Sequence, residues 1–274
     1  MAHIVLVGAG NMGFAMLKGW KSGTPHRFTV VEPAQQLRDR AAAEGVTALA
    51  DLGDWHGSAD ADAIVIATKP DIVGAVCSKA GRALRTGGVV ISVAAGKSIR
   101  FMTETLGSDA YGVIRCMPNT PASIGEGMIV CCAGEGVSED QRALTRELMS
   151  CIGMTLFLSD EGQMDAVTAV SGSGPAYLFH FVEALTAAAE AAGLDSETAS
   201  VLAKQTAFGA AKLVMSSDVS PSELRRQVTS PKGTTEAALR VLMDEENGFR
   251  PLLEAAVDAA KIRSIELGAA TTNA

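Results

Sequence analysis

Gly8, Gly10 and Gly13 form the run GAGNMG, a GxGxxG placed directly after the strand-like stretch 3–7 and at the opening of a helical one. Each glycine has its own task in such a turn. Gly8 permits the tight bend, Gly10 lets the backbone approach a pyrophosphate, and Gly13 lets helix and strand pack closely. The helix entrance, with Asn11 and Met12, offers unpaired amides and a positive dipole end to phosphates. With strand and helix both in place, dinucleotide binding is expected rather than a bare Gly-rich turn. About twenty residues further on, where an acidic side chain binds a ribose 2′-hydroxyl, the second strand ends in Val30, Val31 and Glu32. Glu32 would repel a 2′-phosphate, so the cofactor reading, NADPH or NADH, leans toward NADH. Arg38, Lys21 and Arg27 are the cations that could reach a phosphate instead, and a solvated strand-end charge is the plain alternative for Glu32.

Other motifs carry no obvious acid or base. Thr68, Lys69 and Pro70 follow the stretch 63–67, at the carboxyl end of a strand where cofactors lie in such folds. Pro70 suits the first turn of a following helix, and Lys69 lies along a cofactor or is an exposed turn lysine. Residues 115–121 read RCMPNTP. The two prolines hold the backbone extended, fixing the direction of Asn119, so the loop can receive a nicotinamide ring or serve as a structural turn. Residues 171–177, SGSGPAY, interrupt what otherwise reads as one helix. Each glycine costs about 1 kcal/mol there and proline more, which points to a deliberate kink or close approach. Residues 228–235, VTSPKGTT, contain no His, Cys, Asp or Glu at all.

The elements that must hold these motifs fall into two halves. Short apolar runs at 3–7, 28–31, 63–67, 89–93, 111–115, 128–131 and 155–158 alternate with helical segments at 11–21, 34–44, 72–84 and 139–151. That alternation means βαβ units and a parallel sheet, punctuated by RTGG at 85–88 and AGEG at 133–136. After about residue 160 strand signals stop, and 163–192, 196–216, 220–228, 235–245 and 249–267 read as helices. The expected fold class is α/β: a Rossmann-type, mostly parallel sheet domain over 1–160 and an all-α domain over 161–274. The helical half is Ala-rich and weakly charged, which suggests that another subunit covers part of it.

Composition narrows the function classes. The 274 residues carry a formal charge of −8, which argues against nucleic acid and anionic membrane as partners. No apolar run has the length of a membrane span. The first ten residues lack a basic n-region, so no signal peptide is expected. Five cysteines without a CxxC, mostly in apolar runs, read as buried reduced thiols, and the four scattered histidines make a metal site unexpected.

GAGNMG, TKP, RCMPNTPA, SGSGPAY and SPKGTTEAAL, in this order, resemble pyrroline-5-carboxylate reductase over nearly the whole chain. The resemblance implies reduction of the cyclic imine 1-pyrroline-5-carboxylate to L-proline by NADPH or NADH. It also implies a cytoplasmic enzyme of proline biosynthesis whose helical domain forms an intertwined homodimer, often assembled further into decamers. Two departures stand out. Members often carry a second glycine where this chain has Lys232, and many have an asparagine near the ribose where Asp51 and Asp54 stand here.

For such a substrate the protein must mainly bind, orient and exclude water, because a protonated imine is already electrophilic. Ser230 then reads as an N-cap with Pro231 at N1, Gly233 allows close approach, and the amides of Gly233 and Thr234 remain free for the carboxylate. Lys232 adds charge or points to solvent. The resemblance lays Thr235 against the substrate, as a candidate orienting or proton-handling residue. A β-hydroxyacid dehydrogenase would need a lysine base soon after SGSGP, yet none appears before Lys204. His180 is the only stand-in and reads as a packed helix histidine. The alternatives kept are a reductase of another cyclic imine carboxylate and a non-catalytic NAD(P)-sensing protein.

Overall fold

The computed structural model describes residues 1–56 and 58–270, so the last four residues of the expected helical half, 271–274, lie outside the described residues. The chain divides into two compact units. One comprises residues 1–173 with the stretch from 260 onward, and the other residues 174–259.

The first unit begins β1 (His3–Val7), α1 (Asn11–Gly23), β2 (Arg27–Val31), α2 (Gln35–Ala42), β3 (Thr47–Leu49), β4 (Ala61–Ile66) and α3 (Val73–Cys77). It continues β5 (Leu84–Ser92), α4 (Ile99–Leu106), β6 (Gly112–Met117), β7 (Gly127–Ala133), α5 (Glu139–Ser150), β8 (Gly153–Leu158) and α6 (Met164–Val167). The eight strands form one sheet in the order β3-β2-β1-β4-β5-β6-β7-β8. Every pairing is parallel except β6 with β7.

All five residues of β1 are buried, and alternation sends them to opposite faces. Ile4 and Leu6 join the core that includes Met16, Leu17 and Trp20 of α1, whereas Val5 and Val7 join the one with Val73, Val76 and Met102. A strand apolar on both faces therefore reads as a continuous run, as the parallel-sheet expectation required. Trp20 further ties α1 to α5 by donating from Nε1 to the Leu148 carbonyl at 2.9 Å.

Three local expectations are corrected. The segment 72–84 is not one helix: turns of 3-10 helix at Pro70–Ile72 and Ala80–Arg82 flank the short α3. Gly74 and Gly81 weaken helix there, and a Cβ on Gly74 would come within 3.1 Å of the Phe101 ring of α4. RTGG is not a break before β5 but lies inside it, where the register against β4 shifts between Ala61 and Ala63. The three-residue β3 and the helix α4 were not foreseen. Yet α4 carries its signals, a Ser98 cap bonded to the Phe101 amide and Gly107 at φ 65°.

The helix expected over 163–192 is interrupted at SGSGP. A stretch of π-helix over Thr168–Gly172 separates α6 from α7 (Gly174–Ala191), and the Ser173 amide donates to the Thr168 carbonyl at 2.8 Å across the wide turn. The second unit comprises α7, α8 (Ser196–Ser216), α9 (Pro221–Gln227), α10 (Thr234–Leu242) and the first half of α11 (Phe249–Ala270). Asp195 caps α8, and Ser220 with Pro221 opens α9. Phe179, Val201, Phe208, Met215, Val241 and Leu252 stand exposed on this unit, large apolar side chains of the kind that mark interaction surfaces when they lie together. His180 is corrected too: its side chain is 83% exposed and pairs with Glu183 rather than packing.

Gly153, which opens β8, gives the sharpest stability prediction. It has φ +150°, and a Cβ there would lie 2.0 Å from the Gly127 carbonyl oxygen. Gly45 also has positive φ (+76°) but faces open space. G153A should therefore cost more than about 3 kcal/mol, and G45A about 1 kcal/mol from backbone conformation alone. Urea unfolding of both variants checks this.

Candidate functional site

The sheet order reverses between β1 and β4, so the loops leaving these two strands flank a topological switch point, the place where open α/β sheets bind ligands. GAGNMG leaves β1 and Thr68–Lys69–Pro70 leaves β4. The structure brings the two turns into backbone contact. Gly8 has φ +96°, and a Cβ on it would meet the Ala67 carbonyl at 2.6 Å and the Thr68 methyl at 3.1 Å. Gly13 is tighter still: its Cβ would lie 2.1 Å from the Gly8 oxygen. Gly10, by contrast, has nothing within 4 Å of its notional Cβ. Space is thus open where a pyrophosphate would approach, and the first-turn amides of α1 at Asn11, Met12 and Gly13 are donors that no intrahelical carbonyl reaches.

Glu32 directly follows β2 and is only 7% exposed. Its carboxylate accepts from the Ala9 amide at 2.7 Å and the Ala34 amide at 2.9 Å. It is therefore a buried strut of the glycine turn rather than a solvated charge, and each oxygen keeps a lone pair for a ribose hydroxyl. Arg38 donates to the Glu32 and Pro33 carbonyls at 2.7 and 2.9 Å. Lys21 pairs with Glu44, and Arg27 with Asp60. Arg27 opens β2, at the opposite end of the sheet from the glycine turn, and Lys21 is roughly 15 Å along α1 from its entrance. Neither reaches a phosphate there. Asp51 and Asp54 cap a turn of 3-10 helix, and Asp51 also pairs with Lys79 at 3.0 Å. Its carboxyl is held below the usual range by the Gly53 amide and then by Lys79.

One residue of this site escaped the sequence reading. Arg40 on α2 donates to the Ala9 carbonyl at 2.6 Å while its guanidinium lies 4.0 Å from the centre of the Phe14 ring. It holds the carbonyl of the residue whose amide Glu32 holds. A separation of 31 residues carries no signal for this; only the pairing of β1 with β2 brings the two together.

At β4 the Thr68 hydroxyl donates to the Lys69 carbonyl, Lys69 is exposed, and Pro70 sits in the first turn as expected. After β6 the Asn119 side chain is occupied within the protein. Asn119 accepts from the Met128 amide at 2.8 Å and donates from Nδ2 to the Ser171 carbonyl at 3.0 Å. RCMPNTP and SGSGP, separate in the sequence, therefore touch. Among the cysteines, Cys116 lies 3.1 Å from Cys131 across the β6–β7 pair, and burial followed by its neighbour pushes the Cys116 thiol well up. All five thiols are free, four of them buried.

The SPKGTT turn belongs to the second unit, and here the cap expectation is corrected. Gly233, not Ser230, is the N-cap of α10, and no side chain caps it. The Gly233 amide is already used, donating to the Ser230 carbonyl at 3.0 Å in a β-turn. The open first-turn amides are those of Thr234, Thr235 and Glu236. Lys232 takes the left-handed position of the turn with φ 59°, unique for a non-glycine among the described residues, and its amide donates to Glu236 at 2.8 Å. That conformation costs a side-chain-bearing residue about 1 kcal/mol, which is why glycine suits the position.

Comparison with known proteins follows the same division. Residues 161–267 match the family model for pyrroline-5-carboxylate reductase dimerisation, and residues 3–96 match that for NADP oxidoreductase, coenzyme F420-dependent. The pyrroline-5-carboxylate reductase of Pseudomonas aeruginosa is 43% identical over 97% of this chain and 96% of its own. That of Arabidopsis thaliana is 38% identical over 95% of this chain and 94% of its own. The solved structure of a pyrroline-5-carboxylate reductase from Coxiella burnetii superposes with a TM-score of 0.90 at 37% identity, covering 97% of this chain and 98% of that one. A Plasmodium falciparum pyrroline carboxylate reductase solved with NADP bound gives 0.82 at 28% identity, over 97% and 98% of the two chains. A Rossmann-like sheet domain followed by a helical dimerisation domain, matched at this identity from end to end, means that the chain belongs to the pyrroline-5-carboxylate reductase family of NAD(P)-dependent oxidoreductases.

Proposed function

We propose that, in reducing 1-pyrroline-5-carboxylate to L-proline, this chain relies on two polarised helix entrances and a set of rigid loops rather than on an acid–base pair. The observation that carries the reading is the open space at Gly10 above the free first-turn amides of α1, beside a glycine turn braced by Glu32 and Arg40. Gly8, Gly10, Asn11, Met12 and Gly13 hold the pyrophosphate of NAD(P)H, Glu32 the ribose, and Thr68, Lys69 and Pro70 the adjoining stretch. Bound reduced nicotinamide supplies the hydride. The loop containing Asn119 shapes the nicotinamide end, although the carboxamide of Asn119 is engaged within the protein.

Ser230, Lys232, Gly233, Thr234 and Thr235 receive the substrate. Its carboxylate meets the amides of Thr234 and Thr235 and the positive end of α10, an interaction worth about 0.3–2 kcal/mol. Gly233 contributes shape and not its amide. Thr235 orients the imine nitrogen or handles its proton through the hydroxyl. The domains assigned to these tasks are 1–160 for the dinucleotide and 161–274 for substrate and dimerisation. The exposed apolar residues of the helical unit support a homodimer formed there. Further assembly into decamers and a cytoplasmic setting complete the reading. Among the described residues no helix is long and apolar enough to cross a membrane.

Two experiments test these assignments. T235A should lower kcat with pyrroline-5-carboxylate by at least about tenfold while changing the Kd of the reduced cofactor less than twofold; a loss confined to cofactor affinity would remove Thr235 from the substrate. Because the buried Glu32 carboxylate stands at the ribose end, KM should be lower for NADH than for NADPH, and E32Q should narrow the gap. A lower KM for NADPH in the unmodified enzyme would overturn the lean toward NADH.

A further inference from the structure

Asn119 occupies the N-cap position of a short 3-10 helix, Thr120–Ile124, yet its side chain makes no cap bond. Asparagine is favoured at such positions because its side chain usually satisfies the following amides. Here the carboxamide leaves that task and bridges two other segments. Oδ1 accepts from the Met128 amide at the start of β7, and Nδ2 donates to the Ser171 carbonyl, 52 residues away in sequence. Ser171 lies within the π-helical stretch Thr168–Gly172.

Isolated π turns inside helices are uncommon and recur at functional sites, because the wider turn displaces backbone groups from the regular ladder. In this one the next residue, Gly172, lies against the terminal methyl of Met117, 2.7 Å from where its Cβ would stand, so a side chain there would have to displace that methyl. Met117 and Asn119 belong to the same loop at the carboxyl end of β6. The π turn is therefore tied to that loop by the hydrogen bond at Ser171, with the Met117 methyl resting beside it at Gly172.

We infer that Asn119 is a positioning residue: its carboxamide locks the π turn of SGSGP onto the MPNTP loop, so that the two motifs act in the reaction as one rigid piece. The inference rests on the reading of this chain as a pyrroline-5-carboxylate reductase, and it assigns Asn119 a task other than direct contact with the cofactor. A reacting centre displaced by about 1 Å can lose about 100-fold in rate, so loosening this lock is felt in turnover before binding.

N119D tests it in the full-length enzyme. The variant keeps the size of the side chain and an oxygen for the Met128 amide, but it replaces the donor facing the Ser171 carbonyl with an acceptor. The expected result is a fall in kcat of about 10- to 100-fold, with the Kd of the reduced cofactor, read by fluorescence titration, changed less than about twofold. G172V, whose branched side chain crowds Met117 and the π turn beyond what a shift of one methyl relieves, should lower kcat in the same manner without touching Asn119. The double variant should fall no further than the worse single one, as groups acting through one placement are not additive. Unchanged kcat in N119D, loss of cofactor affinity in step with kcat, or fully multiplicative effects in the double variant would each overturn the inference. Should N119D fail to fold, N119S, which adds no charge but is too short to reach the Ser171 carbonyl, decides by its own kcat and Kd. An unmodified enzyme inactive on pyrroline-5-carboxylate would instead sink the functional reading, which separates the two failures.

Discussion

The backbone of α1 rests on the glycine turn so closely that Gly13 has 2.1 Å between its notional Cβ and the Gly8 oxygen. Everything at the carboxyl end of the sheet depends on that contact. It sets the entrance of α1 directly over the switch point between β1 and β4, where its free amides and positive dipole face the place proposed for a pyrophosphate. Side chains then brace the turn from outside. Glu32 takes the Ala9 amide, Arg40 takes the Ala9 carbonyl, and both stay out of the space above Gly10. A buried carboxylate and a stacked guanidinium thus fix the geometry of a turn whose proposed ligand contacts are main-chain amides.

The same economy of side-chain chemistry appears in the helical unit. The SPKGTT turn spends its Gly233 amide on closing a β-turn, which leaves Thr234 and Thr235 at the mouth of α10. Lys232 accepts a left-handed backbone so that the turn can close, with Glu236 holding its amide. For a substrate that is already an electrophile, aimed donors and exclusion of water are what a protein must add.

Much of this was legible in the sequence because it rests on glycine, proline and strand alternation, whose backbone consequences are local. GAGNMG, the buried strands and the position of Pro70 follow from residue type alone. What was not legible depends on neighbours distant in sequence. The segment 72–84 carries helical periodicity but folds as the short α3 with a 3-10 turn at Ala80–Arg82, its Gly74 packed against Phe101 of α4. Arg40 joins the glycine turn only through strand pairing, and Asn119, which reads as a loop side chain free to meet a ligand, is held by Met128 and Ser171. The cap of α10 was displaced by three residues because a Ser-Pro pair suits a β-turn as well as a helix start. At SGSGP the cost of two glycines and a proline pointed to a break, but only the folded chain specifies a π turn.

The most direct measurement follows the absorbance of reduced nicotinamide in purified enzyme upon addition of 1-pyrroline-5-carboxylate, with proline quantified in the same mixture. The expected result is oxidation of NADH with one proline formed for each nicotinamide consumed. Failure to oxidise either NADH or NADPH across neutral to mildly alkaline pH, or oxidation without proline, would contradict it.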